Sequence, residues 1–442
     1  MSDFSFTRRT FLHSSTLAAA AAMFPSGAHT QGSAVIKVGV VGTGGRGTGA
    51  IGNILTSADG IEIHALGDLN PDSLETSRMN LDKEASANPD FAPRYKAGFK
   101  VTGDRVFSGF DAYKKVLASN IDLVILASPP GFRPMQLAAA VEAGKHIFTE
   151  KPVAVDSAGI RSVLATYEAA RKTNLGIVAG TQRRHQAEYL ATIDRLHNGG
   201  AIGDIMSGQV FWNQGGLWNR GRDAKWSDAE WQIRNWLYFT WLSGDHIVEQ
   251  HVHNIDVANW VMRGHPVRAV GVGGRQQRTD PKYGHIYDHF GVDFEYENGA
   301  RVLSMCRQIE GTPNRIGENF IGSRGIVRFD ANSTARITGA NAWSWQRPAR
   351  SVNPYVQEHT DLIASIRAGK PLNELRTVAE STLSAIMGRE AAYTGQEVTW
   401  DEVMKADMNL MPPQIAFGPL AVPPVPVPGV TKLNRKWDSG WK

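Results

Sequence analysis

The sequence predicts an α/β domain with a doubly wound parallel sheet, followed by an α+β domain with a large, mostly antiparallel sheet. Up to about residue 180, short apolar runs alternate with helical segments, which is typical of parallel strands joined by helices. After about residue 200, strand-like runs follow one another with few helices between them, which favours antiparallel pairing. We expect the domains to span residues 34–180 and 181–410.

In the first domain, each strand is predicted from a short apolar run that ends at glycine, proline or a polar residue. The predicted strands are 35–41, 62–66, 122–127, 146–149 and 175–179, and the predicted helices are 48–55, 72–81, 135–143 and 157–171.

In the second domain, apolar alternation predicts strands, and an Asn-Gly pair at 298–299 predicts a hairpin turn. The predicted strands are 205–212, 267–275, 287–296, 301–309 and 325–329, and the helices that return to the core are 356–368 and 376–394. Residues 412–428 hold seven of the 21 prolines, so we expect an extended arm over 411–442 that lies across the body or a neighbouring subunit.

Composition excludes several classes of protein. The chain of 442 residues has one cysteine, Cys306, so it has no disulfide framework of its own. The net charge of +4 comes from the two ends of the chain, and the neutral body argues against a nucleic-acid partner.

The first thirty residues have the order of an export signal. Arg8 and Arg9 form a twin-arginine motif, an apolar run follows over 17–24, and Ser26 to Ala28 form a small-residue cleavage site. The run is shorter than the roughly 20 residues that cross a bilayer, so we expect no stable membrane insertion. We predict a signal peptide over 1–30, cleavage near Ala28 and a periplasmic or otherwise exported protein. The alternative is a disordered N-terminus with two chance arginines.

A glycine-rich turn follows the first strand. Gly42, Gly44 and Gly47 have the spacing that brings a helix N-terminus to the pyrophosphate of a dinucleotide. Asp68 lies 21 residues beyond Gly47, at the end of the second strand, where an acid binds ribose hydroxyls. The acid favours NAD over NADP, and the nearby Arg46 and Arg78 weaken that preference.

Two further turns complete a resemblance. The glycines, Asp68, Ser128-Pro129-Pro130 and Glu150-Lys151-Pro152, in this order, resemble the Gfo/Idh/MocA oxidoreductases over about residues 35–410. The resemblance implies a Rossmann domain for NAD(P), an open sheet that supports the substrate site, and homo-oligomers built through that sheet. Arg133 stands in the turn after the third strand, at a position where many members of the family have His. The implied cofactor residues are Gly42, Gly44, Gly45, Arg46, Gly47, Asp68, Ser128, Pro129, Glu150 and Lys151.

The resemblance also implies the catalytic residues. The family pattern is an acid, His four residues on and Asp three further, which here are Glu249, His253 and Asp256. On one helix these spacings share a face. His253 would exchange the hydroxyl proton, Lys151 would polarise the same oxygen, and Glu249 would orient the sugar. Asp256 and Arg183 would contact the substrate, and the alternative for Arg183 is a capping or salt-bridge role.

Two other clusters have more than one interpretation. His246, Glu249, His251 and His253 have metal-ligand chemistry. A helix would hold His251 and His253 about 200° apart, whereas an extended segment would let them converge; we expect no metal. Seven of twelve tryptophans fall between Trp212 and Trp260, where they serve either a carbohydrate site or the core.

The sequence thus predicts an exported NAD(P)-dependent oxidoreductase that acts on a sugar, cyclitol or glycoside. Because free NAD is scarce outside the cytoplasm, we expect the nucleotide to be tightly held. One alternative is redox-neutral glycoside cleavage through a transient keto-sugar. A second is a non-catalytic sugar-binding protein on the same fold.

Overall fold

A computed structural model describes residues 35–330 and 334–437. The predicted signal peptide lies outside the described residues. Within the described residues, no helix has the length and apolar character needed to cross a membrane.

The first domain is a six-stranded parallel sheet covered by helices. The strand order is β3-β2-β1-β4-β5-β6. The strands are β1 Ile36–Val41, β2 Ile61–Asp68, β3 Val106–Ser108, β4 Leu123–Leu126, β5 His146–Thr149 and β6 Ile177–Ala179. The helices are α1 Gly45–Ser57, α2 Pro71–Ala87, α3 Ala92–Gly98, α4 Ala112–Leu117, α5 Arg133–Glu142 and α6 Ser157–Lys172.

The register of this sheet brings the polar turns together. Val41 pairs with Gly67 on one side and with Leu126 on the other, and Leu126 pairs with Thr149. The turns that follow these strands therefore meet at the carboxyl edge of the sheet, which is where open α/β sheets bind ligands.

The second sheet has nine strands in the order β14-β13-β12-β11-β7-β10-β9-β8-β15. Among the described strand pairs of this second sheet, only β7 and β10 are parallel, and the others are antiparallel. The strands are β7 Ile205–Gln214, β8 Pro266–Gly274, β9 His289–Tyr296, β10 Arg301–Gln308, β11 Arg315–Gly322, β12 Gly325–Asp330, β13 Thr334–Gly339, β14 Trp343–Ser344 and β15 Val398–Thr399. The predicted fold class is confirmed.

Helices connect the two sheets. The helices of this half are α7 Ala187–His197, α8 Asp228–Arg234, α9 Thr240–Ser243, α10 His246–Glu249, α11 Val252–Met262, α12 Pro354–Arg367, α13 Leu375–Thr394 and α14 Trp400–Lys405. Helix α12 packs on α1 and buries Leu362 and Ile363 in the core of the first domain. Helix α13 buries Leu375 in the first domain and Leu383 in the second. The C-terminal helices thus hold the two domains together.

The proline-rich arm lies along its own chain. The Tyr287 hydroxyl donates to the carbonyl of Pro426 at 2.9 Å, and the Gln232 amide donates to that of Leu420 at 2.8 Å. Buried Arg435 pairs with buried Glu390 at 2.5 Å. The arm therefore occupies the first of its two predicted positions, across the body.

Candidate active site

The glycine turn is shaped by close backbone approaches. Gly42 has φ +88°, and a Cβ there would lie 2.5 Å from the Ser128 nitrogen. A Cβ on Gly47 would lie 1.8 Å from the Gly42 carbonyl oxygen. At Gly44 and Gly45, by contrast, a Cβ would meet no atom within 4 Å. These two glycines line a cavity of about 770 Å³, so their open side faces the space where a pyrophosphate would lie.

Asp68 fixes this turn from the end of β2. Its carboxylate accepts hydrogen bonds from the Thr43 nitrogen at 2.7 Å, the Thr43 hydroxyl at 3.2 Å and the Asn70 nitrogen at 2.9 Å. Burial raises the pKa of Asp68, and these hydrogen bonds oppose the shift. Asp68 also lines the cavity, where a carboxylate suits ribose hydroxyls.

The predicted cofactor residues fall into two groups. Those that line the cavity are Gly42, Gly44, Gly45, Arg46, Asp68, Ser128 and Pro129. Gly47, which packs against the Gly42 carbonyl, does not line the cavity, and neither do Glu150 and Lys151. Together the glycine cradle, the helix N-terminus and the carboxylate fit a dinucleotide.

Arg46 connects this turn with two carboxylates. Its guanidinium donates to Glu150 and, at 3.0 Å, to Glu358, and it lies 4.9 Å from the Tyr355 ring centre. Glu358 is fully buried on α12, and burial raises its pKa. Glu358 was not predicted from the sequence, because its partner lies 312 residues away and no local pattern marks it.

Arg133 is a structural cation rather than a surface group. It is 1% exposed and donates to the backbone oxygens of Ser128, Glu150 and Pro152. Burial lowers its pKa to about 10, so it keeps its charge at neutral pH. Arg133 therefore ties the turn after β4 to the turn after β5.

Lys151 reaches across to the second domain. Its ammonium group donates to the backbone oxygen of Glu249 at 2.6 Å and to its carboxylate at 3.2 Å. Both side chains are about nine-tenths buried, with exposures of 10% and 11%. The structure thus brings together two of the three predicted catalytic residues.

The helix that was predicted to carry Glu249, His253 and Asp256 is broken. Glu249 ends α10, and α11 begins at Val252, so the expectation of one continuous helical face was wrong. Asp245, which has φ +72°, caps the start of α10 by accepting a hydrogen bond from the His246 nitrogen. The break lets Glu249 turn toward Lys151 while His253 sits in the first turn of α11.

His253 is a buried, neutral imidazole. Its ring stacks on Trp212 at 5.7 Å, and its Nδ1 is buried with no hydrogen-bond partner among the described residues. Burial lowers the pKa of His253 well below the ordinary value, and the charges of Lys151 and Arg183 lower it further. A neutral imidazole beside a fixed ammonium group can accept a proton from a hydroxyl.

The two predicted substrate residues are already paired. Asp256 accepts a bidentate hydrogen bond from Arg184 at 2.9 Å and a further one from Ser381 at 2.7 Å. Arg183 pairs with buried Glu318 at 2.6 Å, and its guanidinium lies 5.6 Å from the Trp212 ring. In the structure Asp256 anchors α11, and Arg183 has the salt-bridge role. Their contacts with a substrate stay a prediction.

The alternative metal cluster does not assemble. His251 hydrogen bonds to Ser304 at 2.8 Å, while His246 packs on Phe290 at 5.1 Å. Across the described ranges, no three His, Cys, Asp or Glu side chains come together as ligands. The tryptophans between Trp212 and Trp260 do not all have the same environment. Trp241 is 1% exposed and belongs to the core, whereas Trp218 is 45% exposed.

This fold and site define a dinucleotide-dependent oxidoreductase. Residues 36–177 match the model of the oxidoreductase family with an NAD-binding Rossmann fold, and residues 190–328 match the GFO/IDH/MocA C-terminal domain. The chain therefore belongs to the Gfo/Idh/MocA family of NAD(P)-dependent enzymes.

Known relatives match over most of this chain. Inositol 2-dehydrogenase 3 of Saccharopolyspora erythraea is 25% identical over 82% of this chain and 95% of its own. The aldose-aldose oxidoreductase of Caulobacter crescentus, solved with glycerol, has a TM-score of 0.62 and 18% identity over 83% of this chain and 99% of its own. The scyllo-inositol dehydrogenase of Lactobacillus casei, solved with NAD(H) and scyllo-inositol, has a TM-score of 0.62 and 20% identity over the same shares.

Proposed function

We propose that this protein oxidises a secondary alcohol of a cyclitol or sugar outside the cytoplasm, with a nicotinamide nucleotide that it keeps through turnover. The observation that carries the proposal is the Lys151–Glu249 ion pair beside the buried, neutral His253. The similarity to an inositol 2-dehydrogenase supports a polyol substrate.

The chain's own residues would handle the substrate hydroxyl. Lys151 would donate a hydrogen bond to its oxygen and stabilise the negative charge that develops there. His253 would take the hydroxyl proton, and its stacking on Trp212 would hold the ring in place. Glu249 would orient Lys151 and accept a hydrogen bond from a neighbouring hydroxyl. When bound, the nicotinamide supplies the acceptor for the hydride from the carbinol carbon.

Export supports retention of the nucleotide. The twin-arginine motif and the apolar run predict a protein that works where free nucleotide is scarce. An enzyme there needs a second substrate that returns the bound cofactor to its starting state. We propose that a second sugar takes this role.

The test is turnover without added nucleotide. The purified protein is incubated with myo-inositol or an aldose, alone and in pairs, and products are followed by NMR. Oxidised and reduced sugars in equal amounts, absent in His253→Asn, support the proposal. Release of aglycone from glycosides with no net oxidation would favour the glycoside-cleavage alternative. Sugar binding without turnover under any condition, including added NAD, would favour the binding protein.

A further inference from the structure

The second domain forms one wall of the cofactor cavity. Trp218, Arg220, Ile233, Arg234 and Trp236 line the same cavity as the glycine turn and Asp68. We propose that Trp218 and Arg220 bind the adenosine half of the nucleotide and slow its release.

An ion pair shows which end of the cavity this wall covers. Arg234 binds Asp72 with two hydrogen bonds, at 2.8 Å and 3.1 Å. Asp72 lies in the first turn of α2, four residues after Asp68, which marks the ribose of the adenosine. The wall therefore stands at the adenosine end, away from Lys151 and His253.

The backbone that presents the two side chains is fixed. The Tyr238 hydroxyl donates to the carbonyl oxygens of Leu217 and Trp218 at 3.1 Å and 2.8 Å. The side chain of Asn235 accepts from the Arg220 nitrogen at 2.8 Å and donates to the Arg220 oxygen at 3.1 Å. Asn235 and Tyr238 are both fully buried. Because this backbone is already ordered, little conformational entropy is lost there when a ligand binds.

The two side chains lie against each other where they line the cavity. Trp218 is 45% exposed beside the cavity, and the Arg220 guanidinium lies 5.4 Å from its ring centre. Among the described residues, Arg220 forms no ion pair within 4.0 Å. The pKa of Asp72 is lowered chiefly by its hydrogen bond to Arg234 and also by the charge of Arg220. An indole face suits stacking on a base, and a cation that forms no close ion pair suits the negative charge of the adenosine phosphates.

The experiment follows NADH release without substrate, so its result is independent of the proposed polyol chemistry. Protein loaded with NADH is chased with excess ADP-ribose, and the fluorescence of the bound nicotinamide is followed. Trp218→Ala and Arg220→Ala should each release NADH about tenfold faster or more. Arg222→Ala is the matched control, because Arg222 pairs with Asp228 outside the cavity and should leave the rate unchanged.

A fragment measurement tests the placement. Both variants should bind ADP-ribose, which contains the adenosine half, more weakly by a factor similar to that for NADH. Nicotinamide mononucleotide should bind as it does to the wild type. Wild-type release rates in both variants would overturn the proposal, and so would weakening confined to nicotinamide mononucleotide. Unchanged melting temperatures would show that the variants are folded.

Discussion

The ammonium group of Lys151 lies 3.2 Å from the carboxylate of Glu249, and this ion pair joins the two domains. Lys151 is the second residue after β5 in the first domain, whereas Glu249 is the last residue of the four-residue helix α10 in the second domain. Correct docking of the domains is therefore a condition for assembling the site.

Replacing the charge of Glu249 should lower catalysis. In Glu249→Gln, Lys151 loses a charge-assisted hydrogen bond of about 1.5–3 kcal/mol, so we expect kcat/KM to fall about 10- to 100-fold. Glu249→Asp keeps the charge with a shorter reach and should lose less. Steady-state kinetics on a polyol that turns over would measure both, and a fully active Glu249→Gln would exclude the assigned role.

The pKa of His253 predicts the acid limit of the enzyme. Its folded-state pKa lies well below the ordinary value of about 6.5, so the imidazole is neutral above that pH and stays neutral some way below it. The rate of alcohol oxidation should thus hold through pH 6.5 and fall only at lower pH. Below about pH 6.5 the unfolded chain binds a proton at this ring, whereas the folded protein does not. The free energy of unfolding should therefore decrease as the pH falls from about 6.5 toward the folded-state pKa.

A profile of kcat/KM against pH measures this limit. His253→Asn should lose about 100- to 10,000-fold in rate and should still bind the sugar. An acid limb with an apparent pKa of about 6.5 or higher that disappears in His253→Asn would contradict the assigned environment.

Substitutions at two glycines of the turn should affect nucleotide binding and stability differently. Gly44→Ala places a methyl group in the open cavity, so NADH binding should weaken while thermal stability is unchanged. Gly47→Ala forces a contact at 1.8 Å with the Gly42 oxygen. It should therefore lower the free energy of unfolding by about 1–3 kcal/mol. Fluorescence titration and denaturant melts report the two effects, and equal stability losses in both variants would refute the distinction.

The C-terminal arm should contribute to stability through one residue. Glu390 is fully buried between Arg389 and Arg435, so Arg435→Ala leaves its carboxylate with one cation. Breaking a buried pair costs about 3–5 kcal/mol in the free energy of unfolding. Lys436→Ala removes an exposed pair with Asp407 and should cost less than about 1 kcal/mol. Similar melts for the two variants would show that the arm is not held by Arg435.

Local patterns predicted most of the fold and part of the site. The runs around β1, β4 and β5 are apolar because these strands are buried on both faces, and such runs are visible in the sequence. Strand β11 was not predicted, because Arg315–Gly322 interrupts its apolar residues with Asn319 and with Glu318, whose carboxylate is buried against Arg183.

The rest of the site depends on contacts between distant segments. Glu358 pairs with Arg46 because α12 packs on the first domain. Arg184 and Asp256 likewise form their ion pair only when the chain is folded. Residue types and spacing identified Lys151, Glu249 and His253 as candidates through the family resemblance. They did not show the break between α10 and α11, because the spacing of the three residues is equally compatible with one continuous helix.

The most direct test of a retained nicotinamide nucleotide is to denature the purified, mature protein and identify the released nucleotide by mass spectrometry. We predict close to one NAD or NADP per chain. Protein that releases no nucleotide would contradict retention, and protein that in addition binds no added NAD(H) or NADP(H) would contradict the enzyme assignment as well.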